Sequence, residues 1–216
     1  MSSYTEPNFE KCAVITIDTQ NDFSLPGAVA EIKGTYEVIP HMESILKACR
    51  VQKIPIVHVI RIYREDGTNV DLCRRSLIES GARIVCPQSS GAELVRSIMP
   101  LHAENLNFEA LLNGEMQCIA EEEWVMYKSR WGAFYKTDLE HFLKEKDIDT
   151  LVFIGCNFPN CPRTSMYEAS ERDFKVVMVE DAVSGVYPKG IEEIQNIGVN
   201  VYSTKEFIDA LTVSIP

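Results

Sequence analysis

Short, unbroken apolar runs punctuate this chain, with amphipathic stretches between them. Cys12–Ile17, Ile56–Ile62, Leu151–Ile154 and Val176–Val179 are rich in β-branched residues and do not alternate with polar ones. Such runs mark strands buried on both faces, as in a parallel sheet. A shorter run at Val199–Val201 predicts a fifth strand, and Glu123–Met126 a sixth. Between them the apolar period changes to about 3.6. Pro40–Gln52 carries Met42, Ile45, Leu46 and Cys49 on one stripe, and Thr137–Lys146 carries Leu139, Phe142 and Leu143. Pro162–Arg172 and Thr204–Leu211 complete the predicted helices. Strands alternating with helices predict βαβ units: an α/β fold with a doubly wound, mostly parallel sheet and helices on both faces. No repeat or linker divides residues 1–216, which predicts a single domain. Residues 64–117 are the least regular stretch and are expected to cover the strand ends as the wall of a site.

Ligands of open α/β sheets bind beyond the carboxyl ends of the strands. That rule selects Asp18–Asp22, Arg61–Arg64, Lys128–Trp131 and Gly155–Cys161. Cys161 is the most telling of these. It lies between a turn-rich stretch and Pro162, and Pro favours the first helical position. Unpaired amides and the positive end of a helix dipole there are expected to lower its pKa and make it nucleophilic. Asp18 directly follows a buried strand, where a carboxylate is costly unless paired or hydrogen-bonded. Lys128 follows another. Each has a bland reading alone: a turn-capping Asp, a solvated Lys, a buried structural thiol. Together they are an acid, a base and a nucleophile at one sheet edge, the parts of a covalent acyl-transfer site.

These residues carry a resemblance. Val14–Phe23, with Asp18-Thr19-Gln20-Asn21-Asp22-Phe23, resembles the opening signature of the isochorismatase-like cysteine hydrolases. Lys128 with Phe134, Thr137 and Leu139, then Gly155, Cys161, Arg163 and Thr164, then Val179–Ala182 are similar to the family's later segments, in the family's order. The resemblance implies a Rossmann-like three-layer sandwich, a homo-oligomer and an Asp18, Lys128, Cys161 catalytic set. It further implies a thioester intermediate, an oxyanion hole from the Asn157 and Cys161 amides, and a cis peptide at Cys156–Asn157. The implied activity is hydrolysis of a C–N bond in a small amide or ureido acid. An ester or vinyl-ether hydrolase and a silent small-molecule-binding member are the alternatives. Cys161 argues against the vinyl-ether chemistry, and the complete set of three argues against a silent member. Phe158-Pro159-Asn160 and Pro162 depart from the family's usual neighbours of the Cys, so the substrate is expected to differ from those of familiar members.

Other residues are candidates for the pocket. Phe23, Tyr63, Trp131 and Phe158 are possible walls, Phe23 being equally a core residue. Arg61, Arg64, Arg130 and Arg163 are possible carboxylate anchors, with Arg64 and Arg130 favoured. Arg61–Gly67 holds no His, and His58 lies inside an apolar run as a core residue, so no metal and no cofactor are expected. A net charge of −11 argues against nucleic acid as a partner. No GxGxxG or P-loop is present. No apolar stretch approaches a membrane span, and the start of the chain lacks a signal peptide's pattern. Seven cysteines, an odd number scattered through predicted core elements, predict reduced thiols and a cytoplasmic location.

Overall fold

The structure, a computed structural model, describes residues 4–214. In chain order the elements are β1 (Cys12–Ile17), α1 (Asn21–Ser24), α2 (Thr35–Val51), β2 (Ile56–Ile60), α3 (Leu72–Glu79), α4 (Phe108–Leu112), β3 (Gln117–Ala120), β4 (Glu123–Tyr127), α5 (Leu139–Glu145), β5 (Thr150–Gly155), α6 (Cys161–Ser170), β6 (Lys175–Val183), α7 (Pro188–Gln195), β7 (Asn200–Tyr202) and α8 (Thr204–Ser214). The strands form one sheet in the order β3-β4-β2-β1-β5-β6-β7. All pairings are parallel except β3 with β4. β1 is central, and the chain winds outward from it in both directions. The sheet is therefore doubly wound, as the apolar runs predict.

Two cores clothe the sheet. On one face Ala13, Ile15 and Ile17 of β1 pack with Leu139 and Leu143 of α5, Met166 and Ala169 of α6 and Ile194 of α7. On the other, Cys12 and Val14 pack with Met42, Ile45, Leu46 and Cys49 of α2 and Phe207 and Leu211 of α8. A third cluster, including Phe23, Ile62, Tyr63, Val70 and Ile84, sits under residues 64–117. That stretch is indeed helices and loops, with α3 and α4 inside it.

The boundaries differ from the sequence reading in instructive places. α2 begins at Thr35, not Pro40, because Thr35 and Ile39 extend the same buried stripe and Pro40 is carried inside the helix on its exposed side. β3 and α7 have no counterpart in the predicted elements. β3 is a half-exposed edge strand with no apolar run, and α7 carries a Gly in its middle.

His58 is a satisfied core residue. Its Nδ1 lies 2.8 Å from Thr16 Oγ1 and its Nε2 lies 2.7 Å from Glu123 Oε1. Arg50 closes the network, donating to both Glu123 oxygens at 2.7 and 2.8 Å. Burial opposes ionisation of Glu123, but hydrogen bonds from Arg50 and His58 prevail and bring its pKa down to about 2. Among the described residues no helix is long and apolar enough to cross a membrane.

Candidate active site at the strand ends

Register places the site. Ile17 pairs with Val59 of β2 and with Gly155 of β5, and Ile60 pairs with Tyr127 of β4. The residues that follow these strands therefore share one edge. Three backbone bonds continue the ladder past the strands: Asp18 N donates to Val59 O, Lys128 N to Ile60 O and Cys156 N to Ile17 O, each at 2.9 Å. Asp18 then leaves the ladder with φ +51°, an uncommon conformation for a residue other than Gly. Gly155 is required at the end of β5. Its φ is +120°, and a Cβ there would lie 2.3 Å from the Ile17 carbonyl oxygen.

Lys128 Nζ donates to Asp18 Oδ2 at 2.8 Å and to the Arg130 carbonyl at 3.4 Å. Lys128 is fully buried and Asp18 is 4% exposed. Asp18 Oδ1 is also buried and has no hydrogen-bond partner among the described residues, and the Asp18 charge acts on the Cys161 thiol. The sequence reading expected a Cys161 thiol of lowered pKa, and here the structure corrects it. Burial and the Asp18 charge push the thiol up, outweighing the opposing charges of Lys128 and Arg61.

Cys161 is the first residue of α6, and Pro162 follows at the favoured position. The loop before it is tied down by Phe158 N to Ser184 O (2.7 Å), Asn160 N to Asn157 O (3.0 Å) and Arg163 N to Phe158 O (3.2 Å). The Cys156–Asn157 peptide is cis. Among the described residues the Asn157 and Cys161 amides take no part in these bonds. From behind, Ser165 Oγ donates to the Cys161 carbonyl at 2.7 Å and accepts from Ala133 N at 3.0 Å. This joins α6 to the loop after Lys128.

Arg61, at the end of β2, is 1% exposed and points its Nη2 at Cys161 Sγ, 3.8 Å away. Its Nη1 donates to Asp71 and, at 3.3 Å, to the Ser129 carbonyl. Asp71 is 3% exposed and also accepts from the Tyr63 hydroxyl at 2.8 Å. Arg74 Nη1 donates to the same hydroxyl at 3.0 Å. Trp131 is half-buried and covers Arg61, the guanidinium carbon lying 5.2 Å from the indole centroid. Arg74 stands 5.3 Å from the Phe23 ring centroid and 5.6 Å from that of Trp131. Phe23, Tyr63 and Trp131 are thus brought to this network.

Four of the candidates make other contacts. Arg64 is exposed beside Pro87, Gln88 and Phe108 and makes no contact with Asp18, Lys128 or Cys161. The strand has ended by then, and its backbone N is turned to Asn69 Oδ1. Arg130 spends its guanidinium on the Asn69 and Ser129 carbonyls, where it holds loops together. Phe158 has no exposed surface and packs into the core on Tyr187 and Gly190, because the loop turns it towards α7. Arg163 likewise turns outward, to Tyr187 and Glu193. Asp71 and Arg74 were absent from the sequence reading. They lie in the irregular stretch, and the only signal was an Asp and an Arg pair at the start of a short helix. Among the described residues no group of three or more His, Cys, Asp or Glu side chains is arranged to hold a metal ion.

The Isochorismatase domain model matches residues 12–206 of the chain. A protein from Arabidopsis thaliana described as a probable inactive nicotinamidase is 29% identical over 205 residues, covering 92% of this chain and 95% of its own length. The N-carbamoylsarcosine amidase of an Arthrobacter species is 28% identical over 210 residues, covering 92% of this chain and 72% of that protein. Among solved structures, an isochorismatase family protein from Desulfovibrio vulgaris superposes with a TM-score of 0.79 at 29% identity, covering 94% of this chain and 98% of that one. With the domain matched across almost the whole sheet and all the strand ends that form the site, the chain belongs to the isochorismatase family.

Proposed function

We propose that the chain is a cysteine amidohydrolase that cleaves a C–N bond of a small amide or ureido acid, with Cys161 as nucleophile. The observation that carries this reading is the buried Lys128–Asp18 pair, 2.8 Å long, set against the Cys161 thiol. Asp18 takes the thiol proton as Sγ attacks the substrate carbonyl, so no standing thiolate is needed. Lys128 balances the Asp18 charge in a site nearly closed to water. The carbonyl oxygen becomes an oxyanion, for which the Asn157 and Cys161 amides are the donors at hand. As the C–N bond breaks, Asp18 gives its proton to the departing nitrogen and a thioester remains. A water then loses a proton to Asp18 and attacks the thioester, and the proton returns to sulfur as the acid leaves. The relative named N-carbamoylsarcosine amidase supports a ureido acid among the substrates. The seven free cysteines support a reducing, cytoplasmic setting.

A silent, ligand-binding role is favoured by one observation, the Arabidopsis relative's description as probably inactive. The same experiment separates the two. Ammonia release is followed over a panel of small primary amides and N-carbamoyl amino acids, with Cys161→Ala as control. Turnover of at least one compound that disappears in the control is the expected result. A panel without turnover, or turnover that survives in the control, would sink the proposal.

A further inference from the structure

Two of the cations around Cys161 are held in ion pairs. Lys128 faces Asp18, and Arg61 faces Asp71. Arg74 is the third cation, and none of the ion pairs among the described residues includes it. Its Nη1 donates only to the Tyr63 hydroxyl, 3.0 Å away. Burial pushes the Tyr63 hydroxyl pKa up, so that partner stays neutral. Arg130 also lacks an ion pair but is bonded to two carbonyls, so among the described residues of the site Arg74 is the cation left without an anion or carbonyl partner, inside a chain whose net charge is −11. The Arg74 charge is half-buried between the Phe23 and Trp131 rings. It shares the Trp131 ring with Arg61, whose Nη2 lies 3.8 Å from Cys161 Sγ, which places it on the same side of the sheet edge as the nucleophile.

Two further observations point the same way. Arg74 sits on α3, a helix with no fully buried residue, yet it is turned inward to Tyr63, Phe23 and Trp131. Two buried atoms of the adjoining network, Arg61 Nε and Asp71 Oδ1, have no hydrogen-bond partner among the described residues. The wall beside Arg74 is therefore polar, charged and incompletely bonded, which suits a polar ligand better than a hydrocarbon one.

We propose that Arg74, seated between Phe23 and Trp131, receives the carboxylate of the substrate, so that the site selects anionic amides and ureido acids over neutral amides of the same shape. This rests on the reading of Cys161 as the nucleophile of that pocket. The planar guanidinium matches a carboxylate bidentately, and the flanking rings hold it in place and limit the size of what lies beside it. Arg61 cannot take this role while it is bound to Asp71, and it serves instead to set the potential at the thiol.

The test uses a matched pair of alkylating probes, N-iodoacetylglycine and its neutral carboxamide. Both present the same iodomethyl carbon to sulfur, and only one carries a carboxylate. The exposed cysteines are first removed by Cys73→Ser and Cys118→Ser. Labelling of Cys161 is followed by peptide mapping. The anionic probe should label Cys161 at least about tenfold faster than the neutral one, since a charge-assisted hydrogen bond is worth more than the roughly 1.4 kcal/mol that tenfold requires. Arg74→Met should bring the ratio to one or below, and Arg74→Lys should keep part of the preference. A purely structural arginine would slow both probes together and leave the ratio unchanged. Equal rates in the parent protein, or a ratio unmoved by Arg74→Met, would overturn the assignment. Failure of the hydrolase reading shows itself elsewhere, as absent ammonia release, because alkylation needs no turnover.

Discussion

The Asp18–Lys128 pair can be taken apart one charge at a time. At 2.8 Å the two charges attract by about 6 kcal/mol at an effective dielectric constant of about 20, before desolvation of each is subtracted. Lys128→Met leaves a carboxylate alone in a site 4% exposed, and Asp18→Asn leaves an ammonium with no exposed surface. Breaking a buried pair from one side typically costs about 3–5 kcal/mol. Each single variant should lose about that much in urea unfolding with an unchanged dependence on denaturant. The double variant, with two neutral side chains of similar volume, should recover most of the loss, giving a coupling of about 2 kcal/mol or more. Activity should behave otherwise. All three variants should be depressed by several orders of magnitude, since Asn cannot accept the thiol proton and an uncompensated Asp18 cannot be relied on to release one. Stability that is restored while activity is not would assign the pair's charge to chemistry and its balance to folding. Additive losses in the double variant would refute the reasoning, because they would mean the two groups do not sense each other.

Three more outcomes are expected. Glu123 falls from an ordinary value of 4.5 to about 2, so its contribution of about 3 kcal/mol is present above pH 4.5 and is lost as the pH falls towards 2; Glu123→Gln should flatten acid unfolding over that window, and an unchanged profile would remove the network from the account. Iodoacetamide should label the exposed Cys73 and Cys118 before Cys161, whose thiol is buried and raised in pKa, and Asp18→Asn should slow Cys161 alone; a Cys161 that leads at neutral pH would mean a standing thiolate. Exhaustive chelation should leave ammonia release unchanged, and stoichiometric metal that restores a lost rate would replace the metal-free mechanism.

The parallel strands were legible because burial on both faces writes them as unbroken apolar runs, and Cys12–Ile17 is a strand from its first residue to its last. From the strand ends, the rule for ligand sites was enough to select Asp18, Lys128 and Cys161. Proximity in sequence was a poorer guide. Phe158 stands three residues from Cys161 yet faces α7, and Arg64 stands three residues from Arg61 yet faces solvent. Asp71 and Arg74 illustrate the opposite failure. Their partners, Arg61, Tyr63, Phe23 and Trp131, are supplied by tertiary contacts that no local pattern encodes. The acidity of Cys161 was misread for a similar reason. A helix N-terminus is visible in Pro162, whereas the burial that outweighs it depends on the whole sheet.

Asp18, Arg61, Lys128 and Cys156 form a staggered row, each the first residue past one of four neighbouring strands, with the central pairing joining residues nearly 140 positions apart. A slip of one position in any of these pairings would turn the side chain at that strand end to the opposite face. No fragment of the chain can therefore assemble the row, and no partly ordered sheet can imitate it. Recovery of Cys161 reactivity towards an anionic probe during refolding should follow the last long-range pairing to form, later than helical signal or collapse. In this protein the chemistry doubles as a gauge of strand alignment, and variants that misregister the sheet would be silent before they were unfolded.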